Sequence, residues 1–347
     1  MRAFLLLAFC AVAFGADLKV GSATARQGEK ATGFLTVPAG VDAASSLAVI
    51  LINGAKPGPT LALVAGSHGT EYASIVALEK LAGEIDPKEL TGAVIIVPLV
   101  NPASFAQKVP HLNPVDGKNM NRFYPGKADG TQTERVSWAI SKQVVEKCDY
   151  LFDFHGGDLD ENLRRYTYWA DTGNPKLDNV TRGMVLAFGL DHIIIQRWRP
   201  SDPAPAAITL TRYASSIGKP AVAAEAGHAG TVLAEDVDVL VQGSLNVMRH
   251  LKMLPGTAPQ VEHPVWIGQA AVLPSEVDGI FYPLVGPEAY VTKGMTIGYV
   301  TDYSGKRIWD AKSPISGVII YINALPSMKK GDNVADIGEI SGDPAAR

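Results

Sequence analysis

Two histidines and two glutamates carry the chemistry this chain can do. His68 and Glu71 stand three residues apart in Gly66-Ser-His-Gly-Thr-Glu71. The apolar run Leu61–Ala65 precedes them, and an amphipathic stretch with Ala73, Val76, Ala77 and Leu81 follows. That pattern predicts a buried strand, a tight turn and a helix, with an imidazole and a carboxylate on the turn. Gly66 and Gly69 let the backbone reverse there. His155 ends a second apolar run, Asp149-Tyr-Leu-Phe-Asp-Phe, and Glu225 ends a third, Pro220-Ala-Val-Ala-Ala. The carboxyl edge of an open α/β sheet is where ligands bind. Two imidazoles and a carboxylate with a fourth position open form the ligand set of a catalytic zinc site. The expected ligands are His68, Glu71 and His155, for one Zn2+ per chain. Such an ion lowers the pKa of a water toward neutrality, and Glu225 is the candidate general base for its proton. Asp153, two residues before His155 on the same strand face, is expected to orient it.

A long polar stretch, Pro102 to Thr133, carries Asn119-Met-Asn121-Arg122-Phe-Tyr-Pro-Gly126. A loop of that length in a compact domain is functional or disordered. The Arg122 guanidinium can grip a carboxylate with two hydrogen bonds and Asn121 can add a third, so both are candidate substrate-binding residues.

The elements that position these residues alternate along the chain. Residues 17–55 are β-rich. Gly92–Val100 and His192–Arg197 are expected strands; Thr133–Lys147, Ala204–Ile217 (stopped by Gly218) and Glu235–Leu254 are expected helices. Strands alternating with helices over about residues 60–254 predict an α/β fold with a mostly parallel mixed sheet flanked by helices. Beyond Pro255, short strand-like pieces between Gly and Pro turns predict a small C-terminal all-β domain. Within it, Asp278-Gly-Ile-Phe-Tyr to Gly298 and Ser316-Gly-Val-Ile-Ile to Gly338 form a weak internal repeat. The division expected is 1–16, 17–254 and 255–347.

Composition bounds the rest. The chain has 347 residues, 47% hydrophobic and 19% charged, enough for a sizeable core. Its net charge is -4 and no element carries a run of Lys and Arg, so charge gives no sign of nucleic-acid binding. Arg2 followed by the apolar stretch Ala3–Phe14 and small residues has the form of a cleaved secretory signal, too short for a membrane span. The expected location is secreted or periplasmic. Cys10 leaves with that signal, and Cys148 is then a lone cysteine, expected as a buried apolar residue.

The motifs carry a family resemblance. Gly66–Glu71 (G-x-H-G-x-E), Asn119–Gly126 (N-x-N-R-x-x-P-G), Asp153–Gly156 (D-x-H-G) and Glu225–Gly227 (E-x-G) together resemble the succinylglutamate desuccinylase/aspartoacylase family. That family is a branch of the zinc carboxypeptidase-like fold. The resemblance covers about residues 45 to 254, and the β portion is similar to the C-terminal domain of bacterial members, a barrel/sandwich-hybrid. It implies zinc on His68, Glu71 and His155, the substrate carboxylate on Asn121 and Arg122, and Glu225 as general base. One departure stands out: where family members often have a carbonyl-polarising arginine, this chain has Pro114. His111, Lys118, Arg164 and Arg212 are the candidate replacements.

The expected function is zinc-dependent hydrolysis of the amide bond of a small N-acyl amino acid or related carboxylate. The alternatives are a secreted metallocarboxypeptidase acting on peptides or cell-wall stem peptides, and a binding protein without catalysis. Met328-Lys329-Lys330 superficially resembles the modified lysine of a lipoyl or biotinyl carrier, but it directly precedes the turn Gly331-Asp332. The β portion is expected to shape or cover the cleft, or to mediate self-association as a homo-oligomer.

Overall fold

The computed structural model describes residues 16–198 and 208–344. The apolar leader stretch and the first residues of the expected Ala204–Ile217 helix lie outside the described residues. Among the described residues, no helix is long and apolar enough to cross a membrane.

A single 13-stranded mixed sheet runs through the molecule. Its centre is Lys56–Ala65, flanked in parallel by Thr91–Val97 on one side and Tyr150–His155 on the other. Ala221–Glu225 continues in parallel beside Tyr150–His155. Tyr166–Asp171 then pairs antiparallel, and His192–Arg197 runs parallel to it. Ser45–Asn53 and Glu29–Val37 close the opposite end in antiparallel fashion. The central strands are continuous apolar runs because helices cover both faces. On one face, Tyr72–Glu84, Pro175–Phe188 and Ala234–His250 bury Leu78, Leu81, Phe188, Leu240 and Val241. Phe152 of the sheet stacks on Phe188 with ring centroids 5.3 Å apart. Gln132–Ile140 and Leu210–Ser216 cover the other face with Val136, Ile140 and Leu210. Each such Leu or Ile, fully buried, contributes about 1.5–3 kcal/mol. Cys148 is fully buried, and burial pushes its thiol up to about 12, the behaviour of an inert apolar residue.

The C-terminal strands extend this sheet. Val265–Pro274 pairs in parallel with His192–Arg197 and antiparallel with Asn333–Ser341. Gly317–Asn323 lies on Asn333–Ser341, and Glu161–Leu163 reaches across to pair with it. A separate four-stranded sheet holds Gly279–Pro283, Thr296–Thr301, Arg307–Lys312 and Ser327–Met328.

The repeat seen in the sequence has a structural counterpart. Gly279–Pro283 pairs antiparallel with Thr296–Thr301, and Gly317–Asn323 with Asn333–Ser341. Each half lends a two-residue strand to the other: Tyr290–Val291 joins Gly317-Val318, and Ser327–Met328 joins Gly279-Ile280. The turns match atom for atom. Gly294 N donates to Ser313 O as Gly331 N does to Ser275 O. The Ser313 hydroxyl donates to Ile315 O as that of Ser275 does to Val277 O. Lys329 and Lys330 lie on one of these turns, their amides bonded to Asp332 and Asp278.

Candidate metal centre and its cavity

The turn after Lys56–Ala65 is tight for two reasons. Gly66 takes a left-handed φ of +68°, and a Cβ on Gly69 would sit 2.3 Å from the Phe105 amide nitrogen. The turn leaves Glu71 as the cap residue of helix Tyr72–Glu84, with its carboxylate facing back toward the sheet edge. Its Oε1 lies 2.6 Å from His68 Nδ1 and its Oε2 2.9 Å from His155 Nδ1. Burial raises the Glu71 pKa, but His68 and His155 outweigh it and hold the carboxyl at about 2.

The outer nitrogens of both rings are also engaged. His68 Nε2 lies 3.1 Å from Asn119 Oδ1, and His155 Nε2 lies 3.1 Å from Asp153 Oδ2. Each ring thus presents Nδ1 to the Glu71 carboxylate and Nε2 to an outer group, with the Asn121 amide nitrogen also 3.0 Å from His155 Nε2. Burial opposes charge on His155, yet Asp153 and Glu71 push its pKa well up. His68, Glu71 and His155 each offer one ligand atom, all within 4.8 Å of one another. Two imidazole nitrogens turned toward one carboxylate are a donor set that suits zinc.

Glu225 is the register partner of His155 across the parallel ladder. Cross-strand partners share a face of the sheet. Burial, together with Glu71, Glu161 and Asp153, pushes the Glu225 pKa well up, opposed by His155.

Asn121 is buried on the turn Met120–Arg122; its Oδ1 accepts from Leu210 N at 2.8 Å and its Nδ2 lies 3.5 Å from Asp153 Oδ2. Arg122 is exposed at the cavity wall, one guanidinium nitrogen on Asn121 O at 2.7 Å. The loop that carries both is partly built: Pro102–Gln107 is a short helix, capped by Asn101, inside the stretch expected to be irregular.

A cavity of about 460 Å3 opens over the donors. Of the four candidate replacements for the missing arginine, His111 lines it, its ring 6.0 Å from that of His68. His111 Nε2 donates to Asp160 at 3.0 Å, and Nδ1 lies 3.3 Å from Asp158. The bond to Asp160, opposed by burial and assisted by Asp158 and Glu161, pushes its pKa up to about 9. Lys118 is held instead by Thr131 and Glu134, and Arg164 by Pro287 O and Glu288. Arg212 lies over the Trp198 ring and lines an adjoining recess of about 350 Å3 that shares Arg122 with the cavity.

Sequence reasoning missed several cavity residues. Asp158-Leu-Asp-Glu161 follows His155 directly, and this acidic run at a strand's carboxyl end was a usable signal. Asp158 is fully buried and ties the loop to the metal turn: it accepts from Thr70 Oγ1 and from the His111 amide at 2.8 Å. Tyr321, Asn333 and Asp336 come from the C-terminal strands, so that portion does shape the cleft. No local pattern announced them.

Comparisons with known proteins place the chain in a family and agree with its fold. A profile described as Succinylglutamate desuccinylase/Aspartoacylase catalytic domain matches residues 57–251. An N-alpha-acetyl-L-2,4-diaminobutyric acid deacetylase of Halomonas elongata is 27% identical over 318 residues, covering 89% of this chain and 91% of the relative. The crystal structure of a succinylglutamate desuccinylase from Silicibacter superposes with a TM-score of 0.81 at 25% identity, over 92% of this chain and 98% of that one. The product-bound ectoine utilization protein of Ruegeria pomeroyi also gives 0.81 at 25% identity, over 91% and 98%. The chain belongs to the succinylglutamate desuccinylase/aspartoacylase family.

Proposed function

We propose that the protein is a zinc-dependent amidohydrolase that removes the acyl group from a small N-acyl amino acid. The observation that carries this is the inward pair of Nδ1 atoms around Glu71, with Glu225 in register beside His155. The family membership and the deacetylase relative support the reaction class.

His68, Glu71 and His155 would hold the ion; bound there, it supplies a Lewis acid and an acidified water. Asp153 and Asn119 fix the two imidazoles by their outer nitrogens. Glu225 accepts the proton of the attacking water and returns it to the leaving nitrogen. Arg122 holds the substrate carboxylate so that the amide lies across the donors. His111 brings a positive charge beside the place where the carbonyl oxygen gains negative charge, the task of the arginine that Pro114 replaces. The expected leader directs the enzyme outside the cytoplasm.

Metal analysis of the purified protein, with hydrolysis of a panel of N-acyl amino acids and free dipeptides, tests this reading. About one zinc per chain and a preference for N-acyl amino acids are expected. Faster cleavage of dipeptides would move the protein to the peptidases.

A further inference from the structure

We infer that the substrate carries a cationic group at the end remote from its carboxylate, and that Glu161 and Asp336 receive it. This rests on the reading of the site as an N-acyl amino acid hydrolase. The cavity has two unlike ends. One holds Arg122, Gln196, Thr209 and Thr211, which also line the adjoining recess with Arg212. The other is built by the three strands Glu161–Leu163, Gly317–Asn323 and Asn333–Ser341. There Tyr321 is the register partner of Leu163 on one side and of Asp336 on the other, and Glu161 is the partner of Asn323. Leu163, Tyr321 and Asp336 therefore emerge on one face, with Glu161 two residues from Leu163 on the same side.

The other carboxylates of the cavity have positive partners: Glu71 has two imidazoles, Asp153 has His155 and Asp160 has His111. Glu225 is the base. Glu161 and Asp336 make no ion pair among the described residues, and the charge of His111, which Glu161 feels, is already held by Asp158 and Asp160. Glu161 Oε2 accepts from the Asp158 amide at 3.1 Å, and Asp336 Oδ1 from the Asn333 amide group at 2.9 Å. The buried Leu163 and Tyr321 line the cavity with these two carboxylates. Tyr321 feels Asp160, Glu161 and Asp336 together, which, after burial, push its pKa up. An apolar wall with an aromatic face and two carboxylates at its rim is the chemistry that holds an alkylammonium: methylenes on Leu163 and Tyr321, the ammonium on the carboxylates. Among the described residues, the group of three donors that could share one ion is His68, Glu71 and His155, away from this end. The substrate class is thus an Nα-acyl amino acid with an amine on its side chain.

The test uses the zinc-loaded full-length protein and matched pairs: Nα-acetyl-2,4-diaminobutyrate against Nα-acetylnorvaline, and Nα-acetylornithine against Nα-acetylnorleucine. The expected kcat/KM ratio within a pair is about ten- to a hundredfold for the amine, the worth of a charge-assisted bond. Asp336→Asn and Glu161→Gln bring the ratio toward one, and Asp336→Lys favours Nα-acetylglutamate. A ratio at or below one in the native protein, or one unmoved in both neutral variants, overturns the inference. Calorimetric binding of free ornithine and norleucine reads the same contact without turnover. Tighter ornithine binding that both variants abolish supports the inference even where no amide is cleaved, and then it is the hydrolase reading that fails. Equal binding of the two in the native protein overturns it, as does a second zinc per chain that Asp336→Asn removes.

Discussion

Glu225 and His155 face each other across a parallel ladder, one strand carrying the proposed base and its neighbour a proposed metal ligand. Their separation is therefore set by the hydrogen bonds of the sheet, about 4.8 Å between strands, and not by a loop. Glu225→Gln keeps the shape and removes proton transfer. It is expected to lower kcat by about 10²–10⁴-fold while metal content stays near one per chain, read by hydrolysis rates and elemental analysis of the same sample.

In the proposed site Asp153 acts on the metal through His155, whose Nε2 lies 3.1 Å from its carboxylate. Asp153→Asn leaves an acceptor but removes the charge that fixes the imidazole. Metal affinity is expected to fall about 10- to 100-fold, measured by competition with a chromogenic chelator. His155→Ala removes a ligand outright, and dialysis against a chelator is expected to leave the native protein inactive until zinc returns. Recovery of Asp153→Asn affinity to the native value would remove Asp153 from the site.

In the proposed role Arg122 meets the substrate with a planar fork, one nitrogen of which is anchored on Asn121 O. Arg122→Lys keeps the charge and loses the fork, so it is not a conservative change. KM is expected to rise about tenfold or more, with a smaller change in kcat. An equal loss on substrates amidated at the carboxylate would show that Arg122 does not hold that group.

His111 supplies a pH signature. Its pKa is raised from 6.5 to about 9, chiefly by the bond to Asp160. A group whose folded pKa is raised contributes stability below its unfolded value and loses it as pH climbs through the folded one. The stabilisation is thus complete below about 6.5 and is lost as pH rises through about 9. The side chain is 36% exposed, so screening leaves no more than about 1 kcal/mol. Melting curves of the native protein and His111→Gln are expected to differ at pH 6 and to converge by pH 10.

The placing of the His68–Glu71 turn and of Glu225 was legible because each sits at a strand end marked by apolar runs and glycines. Helix Pro175–Phe188 went unread, although Asn174 caps it through the Lys176 amide and Gly189 ends it with φ +102°. Its stripe of Leu177, Met184, Val185 and Phe188 is diluted by charged residues on the other face. His111 was one candidate cation among four. Its left-handed backbone, φ +58°, and its two aspartates belong to tertiary contacts that spacing does not encode. The acidic end of the cavity was the least legible. Glu161–Leu163 is three residues long, and its partner strand lies about 160 positions away.

The hydrogen bonds between Val265-Trp266-Ile267 and His192-Ile193-Ile194 make the change of composition near Pro255 a poor place to cut the chain. A protein ended at Leu254 would bare an apolar sheet margin, with Ile193, Ile194 and Ile195 on a newly unpaired rim, and strand margins of that kind recruit other chains. Such a truncate is expected to precipitate or associate when expressed, whatever remains of its metal ligands.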